Sequence, residues 1–286
     1  MSDITRHTTW AISINGSALS NIIDNSLSLS PALQKVILHG GGDILPTLGA
    51  TITNTFGIQF KTHDLDFIAG PTKITSNVIL VFRAYDEVTG IGTAYVSFTI
   101  AAGVLVPISI SGSAGQAAEL TIGIHPISAN GTTDPIVVGT TSSVMGVHGD
   151  AYTIGDLTIS AAITGIQNIN FNFGYNVQTN AGENGRPYPT LAYVDRQEAN
   201  LSVKTTALAA ATQARLNTGV NTADVSFSFR KLVEGGIPAG TYTGTMKKAI
   251  VEAQGLQGGR PFSMSLMVTP IYDGDGNDYL TWASAA

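Results

Sequence analysis

The strongest constraint on this chain is a segment that it carries twice. Leu45-Pro46-Thr47-Leu48, running on to Lys61-Thr62-His63-Asp64-Leu65, aligns without a gap on Tyr188-Pro189-Thr190-Leu191, running on to Lys204-Thr205-Thr206-Ala207-Leu208. The spacing is 143 residues, as from Pro46 to Pro189, and six of 21 aligned positions are identical. Ile58/Leu201 and Phe60/Val203 keep apolar character at alternate positions, so one strand pattern is repeated. Self-similarity at a fixed offset has to be read before any local signal, because it sets the architecture.

The echo continues on both sides. Phe82-Arg83 matches Phe229-Arg230, and His125-Pro126-Ile127 matches Thr269-Pro270-Ile271. Upstream, the serine-leucine alternation Ser26 to Ser30 matches the asparagine-apolar alternation Asn168 to Phe173. The expectation is two copies of one fold, a first domain over 1–145 with an N-terminal arm and a second over 146–286. At 286 residues each copy is long enough to bury its own core.

Glycine is abundant, with 32 residues, and only 12% of positions are charged, which suits short strands, tight turns and a surface partly covered by neighbours. The chain has no cysteine, so disulfides, thiol nucleophiles and cysteine-ligated metals are ruled out together. Met1-Ser-Asp-Ile-Thr-Arg-His lacks a basic-then-apolar leader pattern, and no apolar run reaches transmembrane length. Folding in the cytoplasm of the producing cell is expected, with no membrane partner. Net charge is −6, and no Lys or Arg occurs between Arg83 and Arg186, a stretch holding seven acids. Tight nucleic-acid binding draws on basic side chains that neutralise phosphates. This balance argues against it.

Taken in order, Thr9 to Ile14 predicts a strand entering an Asn15-Gly16 hairpin turn, and Asp24 to Ser30 a second strand. Long loops follow at matching places, Pro31 to Asp43 with Gly40-Gly41-Gly42, and Val177 to Pro187. Each loop leads to a Pro-Thr-Leu strand and then a strand ending in Lys-Thr. A short helix is expected next, over 62–69 in the first copy and over 206–216 in the second, where Thr206 can cap an alanine-rich run. Gly90 to Gly92 and Glu234 to Gly240 read as turns between alternating strands. The predicted fold class is mainly β: two tandem antiparallel sandwich or half-barrel domains, each with one short flanking helix.

Candidate chemistry is thin. His39-Gly40-Gly41-Gly42 resembles an esterase oxyanion loop, but no Gly-x-Ser-x-Gly turn accompanies it. His7, His39, His63, His125 and His148 lack helical metal-site spacing. Asp273 to Asp278 begins like a calcium loop, yet lacks the glycine at position six and the glutamate at position twelve. A hairpin turn accounts for it. No phosphate loop is present. The chain reads as a non-enzyme without cofactor or metal.

Two small β domains in tandem, matching long loops and an acidic, cysteine-free chain resemble the tail tube (major tail) proteins of long-tailed bacteriophages. The closest likeness runs from Ile163-Thr-Gly-Ile-Gln-Asn-Ile169 through the polar loop to Tyr188-Pro189, Lys204-Thr205 and the alanine-rich run. The resemblance implies sandwich domains whose hairpins join neighbours into a barrel around a lumen, in stacked rings that conduct DNA during ejection. A duplicated chain implies a homotrimer with pseudo-sixfold symmetry. It further implies a place in the virion tail, and tape-measure, terminator and baseplate proteins as partners. Ser26, Ser28, Ser30, Asn168, Asn170 and Asn172 are then candidates for the wall facing DNA. Gly40, Gly41, Gly42, Asp43, Asn180, Gly182, Glu183, Asn184 and Arg186 are candidates for contacts between subunits or rings. A tail hub, terminator or capsid decoration protein is an alternative. So is a pilus-like sandwich subunit, since Ile237 to Met246 is similar to a fimbrial closing strand.

Overall fold

The computed structural model describes residues 6–23, 28–32, 55–86, 90–140, 144, 146–159, 161–180, 183–206, 224–232, 241–257, 263–271 and 279–285. About 66% of these are strand, with almost no helix. The N-terminal half holds β1 (Arg6–Ile14), β2 (Ser17–Ala18), β3 (Ser28–Ala32), β4 (Thr55–Thr62), β5 (Thr72–Ile74), β6 (Val78–Asp86), β7 (Gly90–Ile100), β8 (Gly103–Ser113), β9 (Glu119–Pro126) and β10 (Ile136–Gly139). The C-terminal half holds β11 (Tyr152–Ile159), β12 (Ala161–Ile163), β13 (Ile166–Asn172), β14 (Tyr175–Thr179), β15 (Ala192–Gln197), β16 (Asn200–Thr205), β17 (Val225–Lys231), β18 (Thr241–Met246), β19 (Ile250–Gln257), β20 (Ser263–Thr269) and β21 (Leu280–Ala285).

Local chemistry explains the starting points. Asn15 (φ 51°) and Gly16 (φ 86°) occupy the left-handed region, which a two-residue hairpin matched to strand twist demands. The Asn15 side chain then pins the neighbouring turn, accepting from Thr75 N at 2.7 Å and donating to Lys73 O at 3.1 Å. Period-two alternation does the rest. Leu120, Ile122 and Ile124 on β9, and Met264, Leu266 and Val268 on β20, are all buried.

Two five-stranded antiparallel sheets share one plan. The first has the order β2-β1-β6-β7-β10, the second β12-β11-β17-β18-β21. In both, the long first strand slips register beside the Phe-Arg pair. Thr9 faces Phe82 and Ala11 faces Val81, while Ile154 faces Phe229 and Leu157 faces Phe227. A third sheet runs through both halves in the order β3-β4-β9-β8-β13-β16-β20-β19, with β5 added beside β8. Its centre is the antiparallel pair β8–β13, where Ser111 faces Asn170 and Ile110 faces Phe171. One buried cluster contains apolar side chains from this long sheet and from both five-stranded sheets. Gly112 on β8 marks the closeness of the layers: a methyl group there would sit 3.0 Å from Ile154 Cγ1 and 3.6 Å from Phe229 Cε1.

Several expectations change. The segment expected as the first short helix ends β4 at Thr62 and continues as a turn, with Ile68 N bonded to Leu65 O at 3.0 Å. Asp64 is the cause. Its carboxylate accepts from Asp66 N at 2.9 Å and from Ser20 Oγ at 2.6 Å, which ties the backbone into a local turn. The second helix, over 207–216, lies outside the described residues. Gly90 to Gly92 belongs to β7, because Asp86 and Tyr85 pair with Gly90 and Ile91. Val177 to Thr179 is strand rather than loop, while Pro189-Thr190-Leu191 precedes β15 and is not itself strand.

Candidate assembly surface

The long sheet buries one face and leaves the other open. On β13, Ile169 and Phe171 are buried while Asn168, Asn170 and Asn172 are exposed. Register carries this polarity across the strands. Asn168, Asn170 and Asn172 stand opposite Ser113, Ser111 and Ser109 on one side, and Lys204, Ser202 and Asn200 on the other. Ser109 and Ser111 face Thr121 and Glu119, Thr121 faces Lys61, and Gly123 faces Gln59. Asn168 Nδ2 donates to Ser113 Oγ at 3.2 Å across the seam. The charges along this stretch are Lys61, Glu119, Lys204 and Glu252, two of each sign, and Lys61 pairs with Glu119 at 3.1 Å. This face is therefore mainly polar and close to neutral, with Met267 opposite Ser202 and buried Val106 opposite Gly123 as apolar members.

Ser28 is exposed beside Gln59, on the same face. Ser30 lies in β3 opposite Gly57, while Ser26, Gly40, Gly41, Gly42, Asp43 and Gly182 lie outside the described residues. The sequence reading passed over Ser109, Ser111 and Ser113. Their signal was there in Ile108-Ser-Ile-Ser-Gly-Ser113, an apolar-serine alternation of the same kind as Ser26 to Ser30.

The repeated Lys-Thr pair has a structural task. Thr62 and Thr205 are both fully buried. Thr62 Oγ1 donates towards Ser20 O at 2.8 Å and Asn21 O at 3.3 Å, and His63 N donates to Asn21 O. Thr205 Oγ1 reaches Thr164 O at 3.0 Å and Gly165 O at 3.3 Å, and Thr206 N donates to Gly165 O. The clamped residues, Asn21 (φ 49°) and Gly165 (φ 65°), are both left-handed. A buried hydroxyl needs a partner, and a tight turn leaves carbonyls that need a donor, so threonine answers both demands.

The candidate loop in the C-terminal half follows β14 and returns as β15, forming a hairpin. It leaves the long sheet at Gly174 (φ 63°), where a methyl group would overlap Glu198 O. Asn180 organises its far end, accepting from Thr190 N at 2.9 Å and Leu191 N at 2.7 Å. Glu183 to Gly185 form one 3-10 turn with Asn184 at φ 54°. Beyond that turn the segment lies on the N-terminal half: Ser128 N donates to Pro189 O at 2.7 Å, Tyr188 N donates to Gly131 O at 3.0 Å, and Arg186 packs over Gly131. Leu191 and Tyr193 remain about half exposed.

The two halves also meet behind the sheet. Ala118 N donates to Tyr152 O at 2.6 Å, and Tyr242 Oη donates to Asp66 Oδ1 at 2.7 Å. Burial raises the Tyr242 pKa, and the Asp66 carboxylate raises it further. Burial likewise raises Tyr152, reinforced by Asp150, and Tyr175. It pushes Tyr279 up to about 12, and lowers His125.

Comparison with known protein families and with curated proteins finds no match. Among the described residues no group of three or more His, Asp or Glu stands close enough to hold a metal ion, and no helix is long and apolar enough to cross a membrane.

Proposed function

We propose that this chain is the structural unit of a phage tail tube: an internally duplicated, two-domain subunit that closes with its neighbours into rings, which stack into a hollow conduit for DNA. The observation that carries the reading is the long sheet, which crosses from one half of the chain to the other without a break while keeping one mainly polar, nearly neutral face. The halves enter it head to tail. Strands β3-β4-β9-β8 are followed by β13-β16-β20-β19, which occupy the same successive places in the repeat. A repeat that adds to itself head to tail has no internal reason to stop at two, and a heterologous contact of this kind closes into a ring when its rotation permits. Three chains per ring is the count that the resemblance implies.

The open face suits a wall past which DNA slides. Binding strength along a phosphate backbone comes largely from counterions released when basic side chains neutralise phosphates. Serine and asparagine release none, so Asn168, Asn170, Asn172, Ser109, Ser111 and Ser28 would hydrate the passing duplex without holding it. The β14–β15 hairpin, with Asn180, Asn184 and Arg186, would contact adjoining subunits or rings. Tape-measure, terminator and baseplate proteins would then be the partners at the tube ends.

Negative-stain electron microscopy of the concentrated protein tests the reading. Hollow tubes or stacked rings with threefold symmetry are the expected result. Solid thin fibres would replace it with a pilus-like subunit, and a dispersed monomer at high concentration would leave a hub or decoration role.

A further inference from the structure

We infer that, given the ring reading above, successive chains join by antiparallel pairing of β19 of one copy with β3 of the next, in the register already used inside the chain by β8 and β13. Gln257 then stands opposite Ser28, Leu256 opposite Leu29, and Gly255 opposite Ser30.

The register follows from the ladders. Lys61 and Thr62 face Thr121 and Leu120, as Lys204 and Thr205 face Ser265 and Met264. On the next strand, Ser109, Ile110 and Ser111 face Thr121, Leu120 and Glu119, as Gly255, Leu256 and Gln257 face Ser265, Met264 and Ser263. The two pairs even share a bulge, between Pro107 and Ser109 in one and between Ala253 and Gly255 in the other. Thus β19 repeats β8 residue for residue. At the other end, Ser28, Leu29 and Ser30 face Gln59, Ile58 and Gly57, as Asn170, Phe171 and Asn172 face Ser202, Leu201 and Asn200. So β3 repeats β13.

Inside the chain the β8 pattern is bonded to the β13 pattern: Ser111 to Asn170, Ile110 to Phe171, Ser109 to Asn172. Among the described residues, the outer side of β19 and the outer side of β3 pair with nothing and form the two ends of the sheet. They are the same two patterns, left without each other. Exposed strand edges present rows of unpaired N–H and C=O groups that a complementary strand satisfies. A second copy of this chain supplies that strand.

The two seams differ in one respect that limits the contact. Phe173 N donates to Ile108 O at 3.0 Å at the end of the internal seam. The position corresponding to Phe173 is Pro31, which has no N–H to offer Gln254 O. The seam between chains is therefore one bond shorter than the seam within the chain, and Pro31 stops a longer, slipped pairing.

The chain has no cysteine, so paired substitutions read the register without background. In assembled Ser28→Cys/Gln257→Cys protein, oxidation is expected to yield covalent oligomers that reducing agent dissolves. Ser28→Cys/Glu252→Cys, displaced by roughly 16 Å along the strand, is expected to remain single chains. Rings that form while the first pair stays uncrosslinked, or while the displaced pair crosslinks as well, overturn the register and leave the ring reading standing. Failure of the unaltered chain to form rings at any concentration overturns both. Should the double variant not fold, amide hydrogen exchange of the unaltered chain decides the matter: protection at 28–30 and 255–257 is expected to rise by about tenfold or more on assembly, and unchanged exchange there overturns the pairing. Pro31→Ala is expected to make rings resist dilution several-fold better.

Discussion

The two halves build the same sheets from different fillings. Around Phe171 the C-terminal half is aromatic: Phe173 meets it edge-on at 4.8 Å, Phe227 lies at 5.2 Å and Trp282 at 5.5 Å. The N-terminal half has Leu80 where the other has Phe227, both fully buried, and fills much of the space with Ile12, Ile14, Ile58 and Ile100. What the halves keep in common is polar and conformational: the buried threonine clamp, the left-handed residue beneath it and the slip beside the Phe-Arg pair. Apolar volume is interchangeable so long as the pattern is kept. An unsatisfied carbonyl is not.

The same turn shows divergence of task. Asn21 and Gly165 share a backbone conformation, but only Asn21 has a side chain to spend. It donates to Gly149 O at 2.8 Å and Asp150 O at 2.9 Å, and accepts from Gly149 N at 3.1 Å. Thus the turn of the N-terminal half stitches down the segment that begins the C-terminal half.

The comparison breaks most widely at high pH. Among the described residues, the tyrosines with raised pKa are Tyr152, Tyr175, Tyr242 and Tyr279, all in the C-terminal half. A raised folded pKa contributes nothing below the unfolded value of about 10 and costs stability above it, because the unfolded chain ionises first. Stability should fall as pH rises from about 10 through 12, where Tyr279 ionises in the folded protein. Tyrosinate absorbance followed with circular dichroism reads this, and replacing all four by Phe should remove most of the loss.

Next in size is the aromatic cluster. Phe171→Ala should cost about 3–5 kcal/mol in urea unfolding. Phe227→Leu, which imports the N-terminal solution, should cost about 1 kcal/mol if volume and pattern are what matter. Equal losses would show that the aromatic packing is specific.

The threonine clamps should be matched. Thr62→Val and Thr205→Val should each cost about 1 kcal/mol, and by similar amounts, since each removes a buried hydroxyl that donates to a turn carbonyl, Ser20 O or Thr164 O. A large difference would separate the two turns. Asn21→Gly keeps the conformation and removes only the stitch, so about 1 kcal/mol is expected, whereas Gly165→Asn should be nearly neutral. Smallest is the surface pair: Lys61→Ala should lose about 0.2–1 kcal/mol, and less at high salt. Lys204 faces Ser265 as Lys61 faces Thr121, and Glu119 corresponds to Ser263, so Ser263→Glu should gain a similar amount by copying the N-terminal arrangement.

Much was legible in the sequence. The Asn15-Gly16 turn, the alternation on β13 and β20 and the Lys-Thr echo each follow from one local cause, a left-handed requirement or a period of two. The short helix after β4 misled because Asp64, Leu65 and Ile68 suit a helix as well as a turn, and only Ser20, 44 residues away, decided for the turn by bonding to Asp64. The expected loop over Val177 to Pro187 began too early, since Val177 to Thr179 is strand and Asn180 acts through Thr190 and Leu191 across a hairpin. Of the expected loop Pro31 to Asp43, Pro31 and Ala32 belong to β3 and the rest lies outside the described residues.

What the sequence determined by itself is the mainly β character and the polarity of strands such as β13 and β20, because backbone conformation and side-chain alternation are local properties. What only the tertiary structure decided is the order of strands. Nothing in Ile108-Ser-Ile-Ser-Gly-Ser113 says that it lies against Asn168 to Asn172 of the other half. Edge pairing satisfies backbone groups that every residue carries alike, so the choice of neighbour is made by which edges remain open once both halves have folded.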